Sequence, residues 1–183
     1  MKSKLVVLAG PSGVGKGTVV RELIRQKPEV FLSVSATTRK PRPEENHDDH
    51  YMFLTEKEFL DEIDKGNLLE HAQFAGAWYG TPRKPVEERI KNNQIVVLEI
   101  DLQGARQVKK SMPEAFLVML KPPSIEELKR RLIDRGTEKP EELELRLQVA
   151  IGELEAENEF DAVVINEDVQ SAVSQLITLL HLN

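Results

Sequence analysis

Leu5-Val6-Val7-Leu8-Ala9-Gly10-Pro11-Ser12-Gly13-Val14-Gly15-Lys16-Gly17-Thr18 is the stretch that decides the fold. Five apolar residues without polar alternation predict a strand buried on both faces, as in a parallel sheet. The glycine-rich turn after it, closed by Lys16 at the mouth of a helix, lets successive backbone N–H groups turn inward around phosphate oxygens. The helix N-terminus adds the positive end of its dipole. Strand, spacing and lysine all agree, so Gly10, Pro11, Ser12, Gly13, Val14, Gly15, Lys16, Gly17 and Thr18 read as the cradle of a nucleoside triphosphate. Lys16 is expected to bridge the outer phosphates and follow charge as it develops during transfer. One departure is visible: Gly17 stands at the usual Ser/Thr position, and the hydroxyl comes one residue later, at Thr18.

Further strand-length apolar runs follow at Phe31–Val34, Ile95–Ile100, Phe116–Leu120 and Ala162–Ile165. Between them lie stretches with apolar residues at helical spacing. Ile125, Leu128 and Leu132 form one stripe, Leu143, Leu147, Ile151 and Leu154 a second, and Val173, Leu176, Ile177 and Leu180 a third. Ser124 is placed to cap the first of these helices, with Glu127 completing a capping box. Strands alternating with helices predict a three-layer α/β fold around a central parallel sheet.

Two regions break this rhythm. Between Ser35 and Thr81 the pieces are shorter and of mixed polarity (Tyr51–Leu54, Leu68–Phe74), with a helix expected over Glu56–Lys65. This predicts an inserted subdomain. Asp134–Glu142 is a polar, turn-rich connection between two strong helices, which reads as a lid or a plain loop.

The bulk numbers narrow the partners. The chain has 183 residues and a formal net charge of −6, from 25 Lys and Arg against 31 Asp and Glu. An acidic chain is a poor general binder of nucleic-acid backbones. Its basic residues concentrate at Arg39-Lys40-Arg42, Arg83-Lys84 and Lys129-Arg130-Arg131-Arg135, which favours a small anionic ligand. With no cysteine there is no disulfide, thiolate metal site or Cys nucleophile. The four histidines have no metal-ligand spacing. The N-terminal apolar run is too short for a signal peptide, and no later run approaches a membrane span, so a cytoplasmic protein is expected.

A phosphate cradle does not by itself separate hydrolase, switch and kinase. Arg39 and Arg42, three apart and held among Pro41 and Pro43, are suited to present guanidinium forks to a second phosphate group. Tyr51 and Tyr79 offer hydroxyls to the same anion. Together they point to a phosphate acceptor.

In motif order and spacing, from Leu5 to Leu180, the chain resembles guanylate kinases. The phosphate loop carries that resemblance, with Ser35-x-x-x-Arg39-x-x-Arg42, Tyr51, Leu69-Glu70-x-Ala72-x-Phe74 and Tyr79-Gly80-Thr81. Ile100-Asp101-Leu102-Gln103-Gly104, Arg131-x-x-x-Arg135-Gly136 and Asn166-Glu167-Asp168 complete it. The resemblance implies a magnesium-dependent transfer of the γ-phosphoryl group of ATP to GMP, with dGMP as a second acceptor. It divides the chain into a core (1–34, 82–134 and 147–183), a GMP-binding subdomain (35–81) and a lid (135–146). Arg39, Arg42, Tyr51 and Tyr79 would hold the GMP phosphate. Glu70 would accept from guanine N1–H and the 2-amino group, with Ser35, Thr81 and Asp101 completing the pocket. Arg131, Arg135 and Arg146 match the arginines that reach the phosphoryl groups, and Asn166 a position near the adenine of ATP.

Two further departures are Glu99, where the family often shows Asp, and Lys121 at the start of Lys121-Pro122-Pro123-Ser124, where an apolar residue is usual. Gly17 and Glu99 leave the magnesium ligands unassigned. Two alternatives stay open at this point: a non-catalytic interaction module on the same fold, and a kinase for another small phosphate acceptor. The intact loop with Lys16 speaks against the first, Glu70 with Asp101 against the second.

Overall fold

A computed structural model describes residues 4–41, 51–74, 76–134 and 140–182. Its centre is a five-stranded sheet in the order β2-β7-β1-β8-β9. The strands are β1 (Leu5–Ala9), β2 (Val30–Leu32), β7 (Ile95–Glu99), β8 (Phe116–Lys121) and β9 (Ala162–Ile165). Every pairing in it is parallel, with Val7 of β1 opposite Leu98 of β7 and Leu117 of β8. The apolar runs therefore mark the strands, as expected for segments covered on both sides.

Alternation along β1 shows the two covers. Val6 and Leu8 join Val19, Val20 and Leu23 of α1 (Lys16–Gln26), Leu128 and Leu132 of α5 (Ile125–Asp134), and Val173, Leu176 and Leu180 in and just after α7 (Val169–Leu179). Leu5, Val7 and Ala9 face Val86 of α3 (Arg83–Lys91) and Ala105 and Val108 of α4 (Leu102–Ser111). Three layers result, as the alternation of elements predicts. In α6 (Pro140–Glu155) Leu143, Leu147 and Leu154 of the expected stripe pack against the core, while Ile151 is exposed and Ala150 is buried beside it.

The capping box expected at α5 forms only in part. The Glu127 N–H donates to Ser124 Oγ at 3.1 Å, but the Glu127 carboxylate turns to Arg130 and Arg131. These two cations outbid a single backbone N–H for an ionised acceptor.

Four further strands build a second sheet, in the order β4-β3-β6-β5. Its strands are β3 (Ser35–Thr37), β4 (Tyr51–Phe53), β5 (Leu68–Phe74) and β6 (Ala77–Pro82). Helix α2 (Glu56–Asp64) lies between β4 and β5 in the chain and starts with a full capping box of Thr55 and Glu58. Phe59, Ala36 and Leu68 form its small core, with Phe59 stacked on Trp78. The β5–β6 register shifts between Leu68 and His71. There Leu68 packs in the small core while Leu69 packs in the large one, which ties the two sheets together. Such irregularities re-aim side chains next to functional sites, and Glu70 is the residue this one aims.

Candidate active site

The phosphate loop leaves β1 between the ends of β7 and β8, in the crevice beyond the carboxyl ends of the parallel strands. Gly10 has φ 149° and lies against the Leu120 backbone, where a Cβ would collide with a carbonyl. No side chain other than hydrogen fits there. Gly15, at φ 97°, opens α1 without a side-chain cap, so the first helical N–H groups stay directed into the loop. Lys16 Nζ donates to the carbonyls of Gly10 (2.5 Å) and Pro11 (3.3 Å), which folds the ammonium over the cradle.

The loop is held from beneath. Asn166 Nδ2 donates to the Val14 carbonyl at 2.7 Å, and Arg131 Nη1 to the same carbonyl at 3.3 Å. Arg131 also donates to the Asn166 carbonyl at 3.0 Å and through Nε to Glu127 at 2.8 Å. Asn166 thus braces the loop from the β9–α7 turn and Arg131 braces it from α5. Arg146, on α6 instead of in a loop, approaches Ser12 Oγ at 3.5 Å. Thr18 is exposed, and Gly17 lies against the Glu99 carboxylate. Arg42 and Arg135 lie outside the described residues, as does most of the connection expected to act as a lid. Lys121 pairs with Glu157 of the 3₁₀ turn Ala156–Glu159.

Two cavities meet at the loop. One, of about 370 Å³, is lined by Lys16, Ser35, Tyr51, Glu70, Tyr79 and Asp101. The other, of about 570 Å³, is lined by Gly10, Ser12, Lys16, Asp101, Arg146 and Glu153. Lys16, Phe74 and Asp101 belong to both. A group held in either cavity therefore faces the same ammonium.

Glu70 closes the back of the first cavity at 6% exposure. Its carboxylate accepts from Thr81 Oγ1 at 2.6 Å. Burial, helped by the negative charge of Asp101, pushes its pKa up to about 7 even though the Thr81 hydrogen bond works the other way. Asp101 caps α4, accepting from the Gly104 N–H at 2.7 Å. Tyr51 and Tyr79 meet edge to face at 6.2 Å. The Arg39 guanidinium lies over the rings of Tyr51 (5.3 Å) and Phe53 (5.8 Å) and donates to the Lys40 carbonyl. Of the acceptor-side residues expected from the sequence, Ser35, Tyr51, Glu70, Tyr79 and Asp101 thus share one cavity wall, with Thr81 behind Glu70 and Arg39 stacked beside Tyr51.

Two contributors received no role from the sequence, although Gly104 closes one of its motifs. A Cβ on Gly104 would sit 3.0 Å from Glu70 Oε2, so this glycine makes room for the carboxylate. Glu153 of α6 faces Lys16 and Asp101 across the second cavity, and burial raises its pKa. Neither follows from local spacing, because each acts on a residue distant in sequence.

A phosphate loop at the carboxyl end of the central strand of a parallel sheet, whose lysine also faces a second cavity with a buried carboxylate, defines a P-loop nucleotide kinase. The family model for guanylate kinase matches residues 2–182. The chain is 56% identical over 178 residues to a guanylate kinase of Streptomyces coelicolor, covering 97% of this chain and 90% of that protein. It is 54% identical over 170 residues to one of Synechococcus sp. strain CC9311, covering 93% and 90%. Among solved structures, guanylate kinase from Anaplasma phagocytophilum superposes with a TM-score of 0.77 at 31% identity, covering 97% of this chain and 84% of that one. The chain belongs to the guanylate kinase family.

Proposed function

We infer that this protein transfers the γ-phosphoryl group of ATP to GMP, giving ADP and GDP, with dGMP as a second acceptor. The observation that carries the acceptor is Glu70: a buried carboxylate, fixed by Thr81 at the back of a cavity that opens onto Lys16. An ionised carboxylate there accepts from guanine N1–H and the 2-amino group. Adenine offers an unprotonated N1 at that position, and a buried acceptor left unpaired costs enough to give strong discrimination.

Arg39, Tyr51 and Tyr79, with Arg42, are the groups we assign to the acceptor phosphate. Ser35 and Asp101 complete the guanine pocket. Gly10 to Thr18 receive the triphosphate, and Asn166 shapes the loop at the nucleotide edge. The acceptor phosphate is already ionised, so no general base is needed. Catalysis rests on positioning, and on charge stabilisation by Lys16 together with Arg146, Arg131 and Arg135. Lys16 exchanges its two loop carbonyls for phosphate oxygens, a gain because charge-assisted hydrogen bonds are the stronger ones. Residues 35–81 act as the GMP-binding subdomain and 135–146 as the lid on a core of 1–34, 82–134 and 147–183. Their closure excludes water, which would otherwise compete as acceptor.

The donor set suits magnesium brought in with ATP. Glu99 and Asp101 place hard oxygen donors beside Lys16. Among the described residues no three His, Asp or Glu converge into a cage. That matches an ion which keeps several waters and leans on phosphate oxygens. When bound, it neutralises and bridges the phosphates. Among the described residues no helix is long and apolar enough to cross a membrane. We assign the protein to the cytoplasm, with ATP and GMP as its partners and neither nucleic acid nor membrane.

The reading is tested by ADP release with magnesium and ATP while GMP, AMP, CMP, UMP and dTMP are offered one at a time. GMP is expected to support turnover at least about a hundredfold above the others. Equal turnover with AMP would move the acceptor away from guanine.

A further inference from the structure

The two departures that flank the phosphate site, Gly17 and Glu99, touch each other. A Cβ built on Gly17 would lie 3.3 Å from Glu99 Oε1 and 3.4 Å from Oε2. A serine or threonine side chain at position 17 would therefore crowd this carboxylate. Glu99 reaches it from the carboxyl end of β7, and the extra methylene that distinguishes it from aspartate supplies the reach. The carboxylate is not idle packing. It lines the acceptor cavity with Lys16 and Asp101 and is partly exposed. Its charge is balanced by Lys16 and Arg21 of α1 against the cost of burial.

In P-loop enzymes the hydroxyl at position 17 and a strand-end acid hold the magnesium ion of the nucleotide from two sides. Here one of those donors is missing and the other is longer. We propose that Gly17 and Glu99 are one matched unit, in which the Glu99 carboxylate occupies the place of the absent hydroxyl and presents its oxygen to the hydrated magnesium of ATP. The unit exchanges only as a pair. Aspartate at 99 withdraws the carboxylate by about 1.5 Å, one C–C bond, and leaves the space at Gly17 empty. Serine at 17 alone crowds the carboxylate and displaces it from this position. Serine with aspartate fills the space once.

This proposal rests on the kinase reading, and the experiment separates the two. ATP affinity is measured by calorimetry without GMP, once with magnesium and once with EDTA, for the wild type, G17S, E99D, G17S/E99D and E99Q. The ratio of the two dissociation constants is the linkage between metal and protein. Each ratio is taken within one protein, so differences in stability cancel, and thermal melts confirm that each variant is folded.

The ratio is expected to fall about tenfold in G17S and in E99D, the usual cost of disturbing groups around a metal site. In the double variant it returns to within about threefold of the wild type. E99Q, which keeps the shape and removes the charge, falls as E99D does. Single effects that simply multiply in the double variant overturn the pairing. A wild-type ratio retained in E99Q overturns the role toward magnesium. A wild type that binds no ATP overturns the kinase reading itself, and the pairing with it.

Discussion

Glu70 meets two opposed demands with one carboxylate. The proposed recognition of guanine needs the ionised form, while burial favours the neutral one. With a pKa of about 7 against an ordinary 4.5, the folded protein holds a proton that the unfolded chain has released throughout the interval between. Glu70 therefore contributes stability below pH 4.5 that is lost as pH rises through 7. The amount is on the order of 3 kcal/mol at about 1.4 kcal/mol per pH unit. Binding runs the other way. Guanine selects the ionised carboxylate, so kcat/KM for GMP is expected to fall as pH drops below 7, by up to tenfold per unit. Glu70→Gln should remove this limb and leave only that of the GMP phosphate near about pH 6. A pH profile of both proteins between 5.5 and 8.5 checks it. An unchanged profile in Glu70→Gln would assign the limb to another group.

At the scale of elements, the loop between β1 and α1 is not self-supporting. Asn166 and Arg131 hold it through the single carbonyl of Val14. Asn166→Ala removes a buried 2.7 Å hydrogen bond, at a cost of about 1–2 kcal/mol, or roughly 3–6 °C in Tm for a chain of this size. KM for ATP should rise while KM for GMP holds. A melting temperature unchanged in a thermal scan would limit Asn166 to contact with the nucleotide. The sequence shows this bracing poorly, and the reason is physical. β1, β7, β8 and β9 are legible because each is an unbroken apolar run, and the phosphate loop because its glycines and lysine are contiguous. β3 and β6 are not, since Ser35–Thr37 is short and β6 carries Tyr79-Gly80-Thr81 with neither full burial nor clean alternation. Glu70 and Thr81 are recognisable only through the ordered set of motifs. The space Gly104 leaves for Glu70, the place of Glu153 and the Gly17–Glu99 contact stay hidden, because each depends on two segments meeting.

For the whole molecule, the two cavities joined at Lys16 are the central fact. The parallel sheet places the cradle, the smaller sheet places Glu70, and Leu69 fixes one against the other by packing in the larger core. Phe74, at the tip of β5, is 64% exposed and shares the second cavity with Leu145 and Val149 of α6, also exposed. These apolar groups from β5 and α6 line the same cavity. The central claim is that phosphoryl transfer goes to GMP because Glu70 reads guanine. The most direct test is kcat/KM with GMP and with AMP, in wild type and Glu70→Gln, at pH 8 where the carboxylate is ionised. The account predicts that the wild type favours GMP by a factor of about a thousand or more, and that Glu70→Gln loses at least about a hundredfold of this, mainly through KM for GMP. A Glu70→Gln protein that kept its full preference for GMP would contradict it.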